Sequence, residues 1–378
     1  MKIMITTNLA YRSDKYHIYP LTLSDEIEEI IVIRNCKGDD FAESPRVRNK
    51  ELRIKYYCPP RFALHFPIFG LLFKFLMMTY LSIRERPDIV HGYLLFPHGL
   101  LAFVVGKLTR KKVGVSLIAG PVELYVLGGS PIKKYAYINF NPQKSLTSSI
   151  LYYILKRFDF LTITGTFSKE FLLKKGIDKK KIFVIPHVIV DKIHTVSIKK
   201  EYDVLYVGRL SPIKHVETFI KSLSVVTENH PSIRAVIVGD GECKFKLESL
   251  ARRLKLNRNI DFVGYRADIW NWYAKSKISI LTSEREGFPY SILESLYLGV
   301  PVIASNCGDI QDVVKNRYNG LLIQDYSDYH SFADAINELI YKSPSSILNY
   351  SINSLNTKKN LSAETVALLW EEIFDKIN

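Results

Sequence analysis

Two glutamates in the stretch SEREGFPYSILESLYLGVPVIAS, residues 283 to 305, could bind hydroxyl groups. Glu286 stands directly before a Gly-Phe-Pro turn, and Glu294 follows eight residues later in an apolar segment typical of a helix. A buried carboxylate needs hydrogen-bond donors, and the hydroxyl groups of a sugar would supply them. A glutamate on the solvent side of a surface helix is the alternative interpretation of Glu294.

Two cations, Arg209 and Lys214, lie earlier in the chain, also between a predicted strand and a predicted helix. Residues 203 to 223, DVLYVGRLSPIKHVETFIKSL, predict a strand that ends at Gly208, followed by Arg209, a short turn, and Lys214 where a helix begins. Arginine can bind a diphosphate through its planar fork, and lysine can do so as a point charge. The helix that follows Pro289 adds free backbone amides, which also favour phosphate. A basic turn on the surface is the alternative.

These side chains would have to be positioned by strand ends, and two series of β-branched runs predict the strands. The first series comprises residues 28–33, 87–93, 112–118, 160–165 and 181–186, and the second comprises DVLYVG, RAVIVGDG, IDFVG, ISILTS and PVIAS. Runs without polar alternation are typical of strands buried on both faces of a parallel sheet, and the segments between them then form crossover helices. Ligands of such sheets bind at the carboxyl ends of the strands.

The two series predict two α/β domains. A chain of 378 residues with 47% hydrophobic content can fill two cores. We expect a Rossmann-like domain over residues 1–190, a second one over residues 191–358, and a terminal helix over residues 359–378 that packs at the domain junction. The helix is predicted by apolar residues at helical spacing, namely Val366, Leu369, Trp370, Ile373 and Phe374.

Charge and cysteine content narrow the class of protein. A net charge of +14 predicts an anionic partner, which could be a phosphorylated small molecule, a nucleic acid or an acidic membrane surface. Four widely separated cysteines without metal-ligand spacing predict isolated thiols in a reducing compartment. The N-terminus does not have the pattern of a secretory signal, so a cytoplasmic protein is expected.

Residues 62 to 83, FALHFPIFGLLFKFLMMTYLSI, are long and strongly apolar and follow a basic stretch. Pro67, Gly70 and Lys74 interrupt the segment and disfavour a membrane-spanning helix. A buried helix of the first domain and a helix lying in the interface of an anionic membrane are both consistent with this pattern.

Four motifs together carry a family resemblance. In chain order they are VGRLSPIKHVETFIKSL, VGDGE, FVGYRADIWNWYAKSKISILTS and EREGFPYSILESLYLGVPVIASNCGDIQDVV. The chain resembles the family 4 retaining glycosyltransferases, also called glycosyl transferases group 1, over nearly all of residues 165 to 325. The resemblance implies the GT-B fold, in which two Rossmann-like β/α/β domains face a central cleft. The N-terminal domain would bind the acceptor and the C-terminal domain a nucleotide sugar.

The resemblance also implies roles for individual residues. Arg209 and Lys214 would bind the donor diphosphate, Glu286 the transferred sugar and Glu294 the ribose, which makes Arg209, Lys214 and Glu286 the catalytic candidates. Other residues would line the donor site: Gly208 at the strand end, Gly287, Phe288 and Pro289 through their backbone, and Gly264, Tyr265 and Arg266 beside the base. No metal or other cofactor is expected, since cations and helix amides would stabilise the leaving diphosphate.

The first domain departs from the family pattern. Many members place a histidine close to the reacting carbon where this chain has Ala119. The first loop, TTNLAYRSDKY, lacks the usual pair of glycines, for which Arg12 or Lys15 could compensate. The candidates for contacts with the acceptor are His98, Gly120 and Glu123.

The residues and the resemblance predict a retaining hexosyltransferase that uses a nucleotide-diphosphate sugar. The acceptor would be a saccharide or a lipid-linked saccharide in the synthesis of cell-surface polysaccharide or glycolipid, at the cytoplasmic face of an anionic membrane. The alternatives are a catalytically degenerate nucleotide-sugar-binding subunit and an epimerase or hydrolase of the same fold. A dehydrogenase is excluded by the lack of a GxGxxG turn, and nucleic acid is not expected because no motif supports it.

Overall fold

Two parallel sheets organise the part of the chain that the computed structural model describes, which is residues 1–9, 16–35, 52–60, 67–121, 123–124, 145–190, 199–342, 344–357 and 362–377. Each sheet belongs to its own structural unit. The first unit comprises Met1–Val190 and Ser362–Asn378, and the second comprises Asp191–Leu361.

The first unit contains a sheet of seven parallel strands in the order β3-β2-β1-β4-β5-β6-β7. They are β1 (Lys2–Thr6), β2 (Glu29–Ile33), β3 (Arg53–Tyr57), β4 (Ile89–Tyr93), β5 (Lys112–Leu117), β6 (Phe160–Ile163) and β7 (Ile182–Val184). Its helices before the second unit include α1 (Pro67–Arg84), α2 (Leu100–Leu108), α3 (Ser145–Leu155) and α4 (Thr166–Lys174). Fully buried β-branched strands such as β2 and β4 explain why the sequence predicts this sheet.

The second unit contains a sheet of six parallel strands in the order β10-β9-β8-β11-β12-β13. They are β8 (Tyr202–Val207), β9 (Ala235–Val238), β10 (Ile260–Gly264), β11 (Ser276–Leu281), β12 (Val302–Ser305) and β13 (Gly320–Ile323). The helices are α5 (Val216–Asn229), α6 (Lys244–Arg253), α7 (Ile269–Ala274), α8 (Tyr290–Tyr297), α9 (Ile310–Val313), α10 (Tyr329–Ile340) and α11 (Pro344–Thr357). The predicted pair of Rossmann-like sheets is therefore confirmed.

Each sheet reverses its strand order once. In the first unit the reversal lies between β1 and β4, and in the second it lies between β8 and β11. In open α/β sheets the connections on either side of such a point diverge and leave a crevice beyond the carboxyl ends of the two strands. The residues that follow β8 and β11 therefore occupy the position where a ligand is expected.

Apart from the N-terminal strand β1, two strands lie outside the two series that the sequence predicts, namely β3 and β13. In β3, Arg53 and Lys55 make the pattern polar because this strand lies at an edge of the sheet, where Lys55 pairs with Glu29 and Glu85. Strand β13 has only four residues and borders one neighbouring strand, β12. Both are edge strands, and edge strands do not need the continuous apolar run that a central strand does.

The predicted terminal helix is α12 (Ala363–Ile377), and it packs in the core of the first unit. Val366, Trp370, Ile373 and Phe374 are buried in one cluster with residues of β1 and β2. This burial explains the apolar spacing of the sequence in this segment. It also means that the two ends of the described chain share one hydrophobic core.

The long apolar segment forms α1. None of the helices in the described ranges combines the length and apolarity needed to cross a membrane. Along its inner side, Gly70, Lys74, Met78 and Leu81 are buried, and the last two belong to a core cluster with residues of β1, β2 and β4. The prediction of a helix that packs on the first domain is therefore confirmed for this side of α1.

The prediction of four isolated thiols is wrong for Cys58, which is disulfide-bonded. Cys243 and Cys307 are free thiols. The sequence did not indicate this bond. Two cysteines that form a disulfide must be close in the fold but need not be close along the chain. The disulfide removes part of the argument for a reducing compartment.

In its described residues the first unit buries four histidines: His17, His91, His98 and His187. The Nε2 atom of His91 lies 2.7 Å from the hydroxyl oxygen of Ser116, and its ring stacks on Phe160. Burial lowers the pKa of His91 to about 3. The pKa of His17 is also lowered, by burial and by repulsion from His187 and His91. The rings of His17 and His91 are therefore neutral at neutral pH.

We expect the contribution of His91 to the free energy of unfolding of the first unit to fall as the pH is lowered from 8 to 5, whereas the raised pKa of Glu123 acts in the opposite direction. The unfolded imidazole has a pKa near 6.5 and takes up a proton that the folded state excludes at His91 until about pH 3. Urea unfolding followed by the fluorescence of Trp370, which is buried in this core, measures the effect.

The variant His91→Gln is the control, because its amide can replace the hydrogen bond to Ser116 but does not titrate. Its unfolding free energy should depend less on pH than that of the wild type. Glu123 titrates in both proteins, so its contribution cancels in the comparison. Equal pH dependence in the two proteins would show that His91 is not excluded from protonation by folding.

Candidate functional site

The loops that follow β8 and β11 are joined to one another by hydrogen bonds. The two strands are neighbours and parallel, so both loops start at the same edge of the sheet. The amide of Glu284 donates to the carbonyl oxygen of Ile213 at 2.9 Å. The hydroxyl of Thr282 lies 3.0 and 2.9 Å from the carbonyl oxygens of Lys214 and His215. The segments that contain the predicted cations and the first predicted glutamate thus form one site.

A charge pair lies at the centre of this site. The ammonium group of Lys214 contacts Oε1 of Glu286, and the hydroxyl of Ser283 donates to the same oxygen at 2.6 Å. The two charged side chains are 21% and 11% exposed, so they are partly shielded but still reachable from solvent. Such a pair neutralises the two charges while leaving each group available to a ligand that offers better partners.

Arg209 differs from Lys214 in its surroundings. It is exposed directly after β8, and within the described ranges no carboxylate pairs with it. The hydroxyl of Tyr206, which is fully buried, donates to the carbonyl oxygen of Arg209 at 3.2 Å and fixes the backbone at this position. Among the described residues of the site, the guanidinium of Arg209 is thus uncompensated and the ammonium of Lys214 is compensated.

Two glycines allow the neighbouring loops to approach this site. Gly239 has φ +149°, and a Cβ atom there would lie 1.8 Å from the carbonyl oxygen of Gly208. Gly308 has φ +59°, and a Cβ atom there would lie 2.1 Å from the carbonyl oxygen of Glu286. The next amide, that of Asp309, donates to the carbonyl oxygen of Gly287 at 2.9 Å. The backbone of the Glu286 loop is thus held by the segment that follows β12.

The second glutamate, Glu294, is buried within α8. The helix begins at Tyr290 after Pro289, which is extended, and Glu294 is its fifth residue. Only 5% of Glu294 is exposed, and the hydroxyl of Tyr273 donates to its Oε2 at 3.1 Å. The surface-glutamate alternative is therefore wrong. The expected ribose contact of Glu294 stays a prediction.

The remaining donor-side residues lie in the same unit. Gly264 ends β10 with φ +73°, and its carbonyl oxygen accepts a hydrogen bond from the amide of Gly239 at 2.9 Å. Tyr265 is 75% exposed and Arg266 is also exposed, so both are open to a ligand. Phe288 is buried, which leaves its backbone rather than its ring for the predicted contact.

Cys307 lies beside the Glu286 loop, and its thiol contacts the carbonyl oxygen of Ser283 at 3.4 Å. Burial raises the pKa of Cys307 to about 12, and the negative charge of Glu286 adds to the effect. The thiol therefore stays protonated at neutral pH. A thiolate nucleophile at this position is excluded.

The acceptor-side candidates in the first unit are mostly internal. Glu123 is fully buried, and its oxygens accept hydrogen bonds from the amides of Leu95 at 2.7 Å and Ala119 at 2.8 Å. Burial raises the pKa of Glu123 to about 7, although these amides oppose the rise. This carboxyl group joins the loops after β4 and β5. Such a position favours an indirect role, and its contact with an acceptor stays a prediction.

His98 is buried at the β1–β4 reversal. Its Nδ1 lies 3.1 Å from the hydroxyl oxygen of Thr6, and burial together with the charge of Lys74 lowers its pKa well below 6.5. Gly120 follows β5 and is buried with φ +63°. Arg12 and Lys15 lie outside the described residues. The structure thus places His98 and Gly120 at the carboxyl end of the first sheet, where the sequence predicts them.

Among the contributors to the site that were not predicted are Ser283, Tyr273 and Gly308. Ser283 ends the run ISILTS and could have been suspected from its place after a strand. Tyr273 is 21 residues from Glu294 and carries no local signal for their contact. In the described ranges no group of three His, Cys, Asp or Glu side chains could hold a metal ion. That no metal is needed stays a prediction.

Profiles of two protein families match consecutive parts of the chain. Glycosyltransferase Family 4 matches residues 25–191, and Glycosyl transferases group 1 matches residues 191–352. The second match begins at residue 191, where the second structural unit also begins.

Curated relatives match in part. The chain is 27% identical over 287 residues to the UDP-Gal:alpha-D-GlcNAc-diphosphoundecaprenol alpha-1,3-galactosyltransferase of Escherichia coli, a match that covers 70% of this chain and 69% of that enzyme. It is 30% identical over 168 residues to the GalNAc-alpha-(1->4)-GalNAc-alpha-(1->3)-diNAcBac-PP-undecaprenol alpha-1,4-N-acetyl-D-galactosaminyltransferase of Campylobacter jejuni, covering 44% of this chain and 46% of that one. Across five relatives the match spans 35% to 69% of their length.

The fold is shared with HepE of Anabaena. Its complexes with UDP, with UDP and glucose, and with UDP-glucose give TM-scores of 0.73, 0.74 and 0.72 at 16% identity, and the alignments cover 99% of this chain and at least 99% of HepE. Two Rossmann-like units, each with one strand-order reversal, place the chain among the doubly wound α/β proteins. The chain belongs to glycosyltransferase family 4, group 1, and has the GT-B type of fold.

We expect Gly308→Ala to destabilise the second unit and to displace the Glu286 loop. The left-handed backbone alone costs a non-glycine residue about 1 kcal/mol, and the clash with the Glu286 carbonyl oxygen adds to that. Urea unfolding measures the change in the free energy of unfolding.

Gly299→Ala is the matched control for this prediction. Gly299 has φ +69°, but a Cβ atom there would meet only the movable side chain of Leu355, at 3.0 Å or more. Its loss of stability should be clearly smaller. If the two variants were equally stable, the close approach at Gly308 would not constrain the loop.

Proposed function

We propose that the chain is a retaining glycosyltransferase that moves a hexosyl-type sugar from a nucleotide-diphosphate sugar to an acceptor hydroxyl. The observation that carries this proposal is the group of Lys214, Glu286 and Ser283 beside the exposed Arg209, at the strand-order reversal of the second sheet. Two cations and a carboxylate at one sheet edge suit a ligand with a diphosphate joined to a polyhydroxylated sugar.

Donor binding would rearrange the charge pair. A diphosphate offers Lys214 and Arg209 stronger partners than a single carboxylate. Glu286, still held by Ser283, would then accept hydrogen bonds from the hydroxyl groups of the sugar. Before the donor binds, Glu286 neutralises Lys214, so Arg209 would supply the positive charge that first attracts the diphosphate. The exposed Tyr265 and Arg266 lie on a neighbouring loop and would flank the base.

In the transfer step, the bond between the anomeric carbon and the diphosphate oxygen breaks, and a bond from the acceptor hydroxyl oxygen to the same carbon forms on the same face. The acceptor proton passes to the departing phosphate oxygen. Arg209 and Lys214 stabilise the negative charge that grows on the diphosphate. Glu286 holds the sugar in position, and the protonated Cys307 takes no part.

The proposed acceptor is a saccharide or a lipid-linked saccharide of cell-surface polysaccharide or glycolipid synthesis. The printed names of the Escherichia coli and Campylobacter jejuni relatives include diphosphoundecaprenol and PP-undecaprenol, which supports a lipid-linked acceptor. UDP is the first nucleotide to test, because it is bound in the HepE structures. Such chemistry would take place at the cytoplasmic face of the membrane.

Ala119 and the altered first loop favour a second candidate, a degenerate subunit that binds the donor without turning it over. The amide of Ala119 donates a hydrogen bond to Glu123 and so helps to hold the loop after β5. No imidazole stands at that position of the sequence. The degenerate subunit and the transferase share the donor site and differ only in turnover.

We expect one nucleoside diphosphate among UDP, GDP and ADP to bind the purified protein, and Lys214→Ala to weaken that binding by roughly tenfold to a hundredfold, the usual range for loss of a charge-assisted hydrogen bond. Arg209→Ala should act in the same direction. Isothermal titration calorimetry measures the affinities. Lys221→Ala is the control, because Lys221 is an exposed lysine on α5 that contacts the Tyr329 ring instead.

Unchanged affinity in both Lys214→Ala and Arg209→Ala would show that the diphosphate does not bind at the β8–β11 edge. Failure of all three nucleotides to bind would contradict the proposed donor class itself. Equal loss in Lys221→Ala would mean that general charge, rather than this site, attracts the nucleotide.

We expect Glu286→Gln to keep nucleotide diphosphate affinity but to lower turnover of the bound nucleotide sugar by about a hundredfold, in the range found for loss of one preorganised polar contact. Release of free nucleotide diphosphate measures turnover, and proton NMR identifies the first sugar anomer released. Glu284→Gln is the control, since Glu284 faces His215 and Arg285 rather than Lys214.

An α-linked donor should release the α-anomer first if the enzyme retains configuration. The β-anomer appearing first would contradict retention but not glycosyl transfer. Tight binding of the nucleotide sugar without turnover, with either water or saccharide acceptors, would favour the degenerate subunit.

A further inference from the structure

The outer side of α1 is an exposed apolar surface. Large apolar side chains line it from the first turn to the last: Ile68, Phe69, Leu72, Phe73, Leu76, Tyr80 and Ile83. The exposed fractions of Ile68, Leu72, Leu76 and Ile83 range from 51% to 65%. Isolated apolar residues are normal on protein surfaces, but a contiguous stripe along a whole helix marks an interaction surface.

The neighbouring helix α2 extends this surface. Val104 and Leu108 of α2 are 45% and 63% exposed. The ends of the two helices are joined by a hydrogen bond of 2.8 Å between the hydroxyls of Ser82 and Thr109. We call the exposed apolar side chains of α1 and α2 the α1–α2 face. Because α1 is apolar on both its buried and its exposed side, the core of the first unit explains only half of its composition.

Cations border the α1–α2 face where the two helices end. Arg84 reaches the hydroxyl of Tyr80 at 3.3 Å and pairs with Glu85 at 3.4 Å, and the exposed residues Arg86, Arg110 and Lys112 follow the ends of α1 and α2.

Of three nearby carboxylates, two pair with lysines and one accepts a hydrogen bond from a backbone amide, so the cations of the border outnumber the carboxylates that stay without a cation. Glu85 pairs with Lys55 at 2.9 Å, Asp88 accepts the amide of Lys2 at 2.8 Å, and Asp159 pairs with Lys107 at 3.2 Å. The border is therefore positive.

We propose that the α1–α2 face docks on an anionic lipid bilayer, with α1 lying in the plane of the interface. The apolar side chains would enter the boundary between headgroups and acyl chains, and the arginines would contact lipid phosphates. The positive charge of the border favours a bilayer over a second copy of the chain as the partner. A face-to-face contact between two copies would bring like-charged borders together in a protein of net charge +14, whereas an anionic surface complements them.

This inference goes beyond the proposed function and does not depend on it, because lipid binding can be measured without donor or acceptor. Vesicles of phosphatidylcholine with phosphatidylglycerol should bind the full chain, and pure phosphatidylcholine vesicles should bind it more weakly. Raising the salt concentration should weaken binding to the anionic vesicles, because exposed charges are screened. Co-sedimentation measures the bound fraction.

The double variant Leu72→Glu with Leu76→Glu should bind anionic vesicles about tenfold more weakly, because it places charge in the centre of the face. Both side chains are exposed, so the fold should be retained. The matched control is Leu348→Glu with Leu355→Glu on α11, where the side chains are 60% and 48% exposed in the second unit. The double variant Arg86→Asn with Arg110→Asn tests whether the cations of the border contribute to vesicle binding. Asparagine is chosen because it tolerates the left-handed φ of 51° and 58° at these two positions.

Loss of binding in the Leu72 and Leu76 variant, with the α11 control unchanged, would support the proposal. Three results would overturn it: absence of binding to anionic vesicles, equal loss in both double variants, or a wild-type dimer in lipid-free analytical ultracentrifugation that the Leu72 and Leu76 variant dissociates. The last result would assign the face to self-association. Nucleotide affinity measured on the same variants keeps a failure of this proposal separate from a failure of the donor site.

Discussion

The parallel pairing of β8 with β11 is the constraint on which the site depends. Because both strands end at the same edge, the loop that carries Arg209 and Lys214 must start beside the loop that carries Glu286. The Thr282 hydroxyl and the Glu284 amide then tie the two loops together. Since the strand order reverses here, no crossover covers the edge, and the cations remain open to a ligand.

The two cations differ in whether a carboxylate neutralises their charge. Lys214 and Glu286 neutralise one another while partly buried, which avoids the cost of an isolated charge at low exposure. Arg209 stands in solvent, where an unpaired guanidinium costs little. A dianionic group can therefore be attracted by the arginine and then exchange places with a carboxylate on the lysine. The same pairing keeps Glu286 beside the place where the sugar of a donor would lie.

The two units use their polar groups differently. In the second unit, Arg209, Lys214 and Tyr265 reach solvent at the edge of the sheet. In the first unit, His98 and Glu123 are buried and hold loops together. The surface of the first unit that we propose for docking is instead the exposed apolar side of α1. This contrast suits a protein whose second unit holds a small anionic donor while its first unit faces a larger partner.

The sequence by itself determined the two series of strands, the helices α1, α8 and α12, and the ordered motifs that contain the cations and the glutamates, because these follow from local periodicity and from residue type. It did not reveal β3 or β13, since edge strands carry polar or very short patterns. Only the tertiary structure decided that Tyr273 meets Glu294 and that Gly308 supports the Glu286 loop, because both contacts join segments far apart in the chain. Burial likewise decided that Glu123 is internal and that one side of α1 is left exposed, since an apolar or charged residue type does not state which neighbours will cover it.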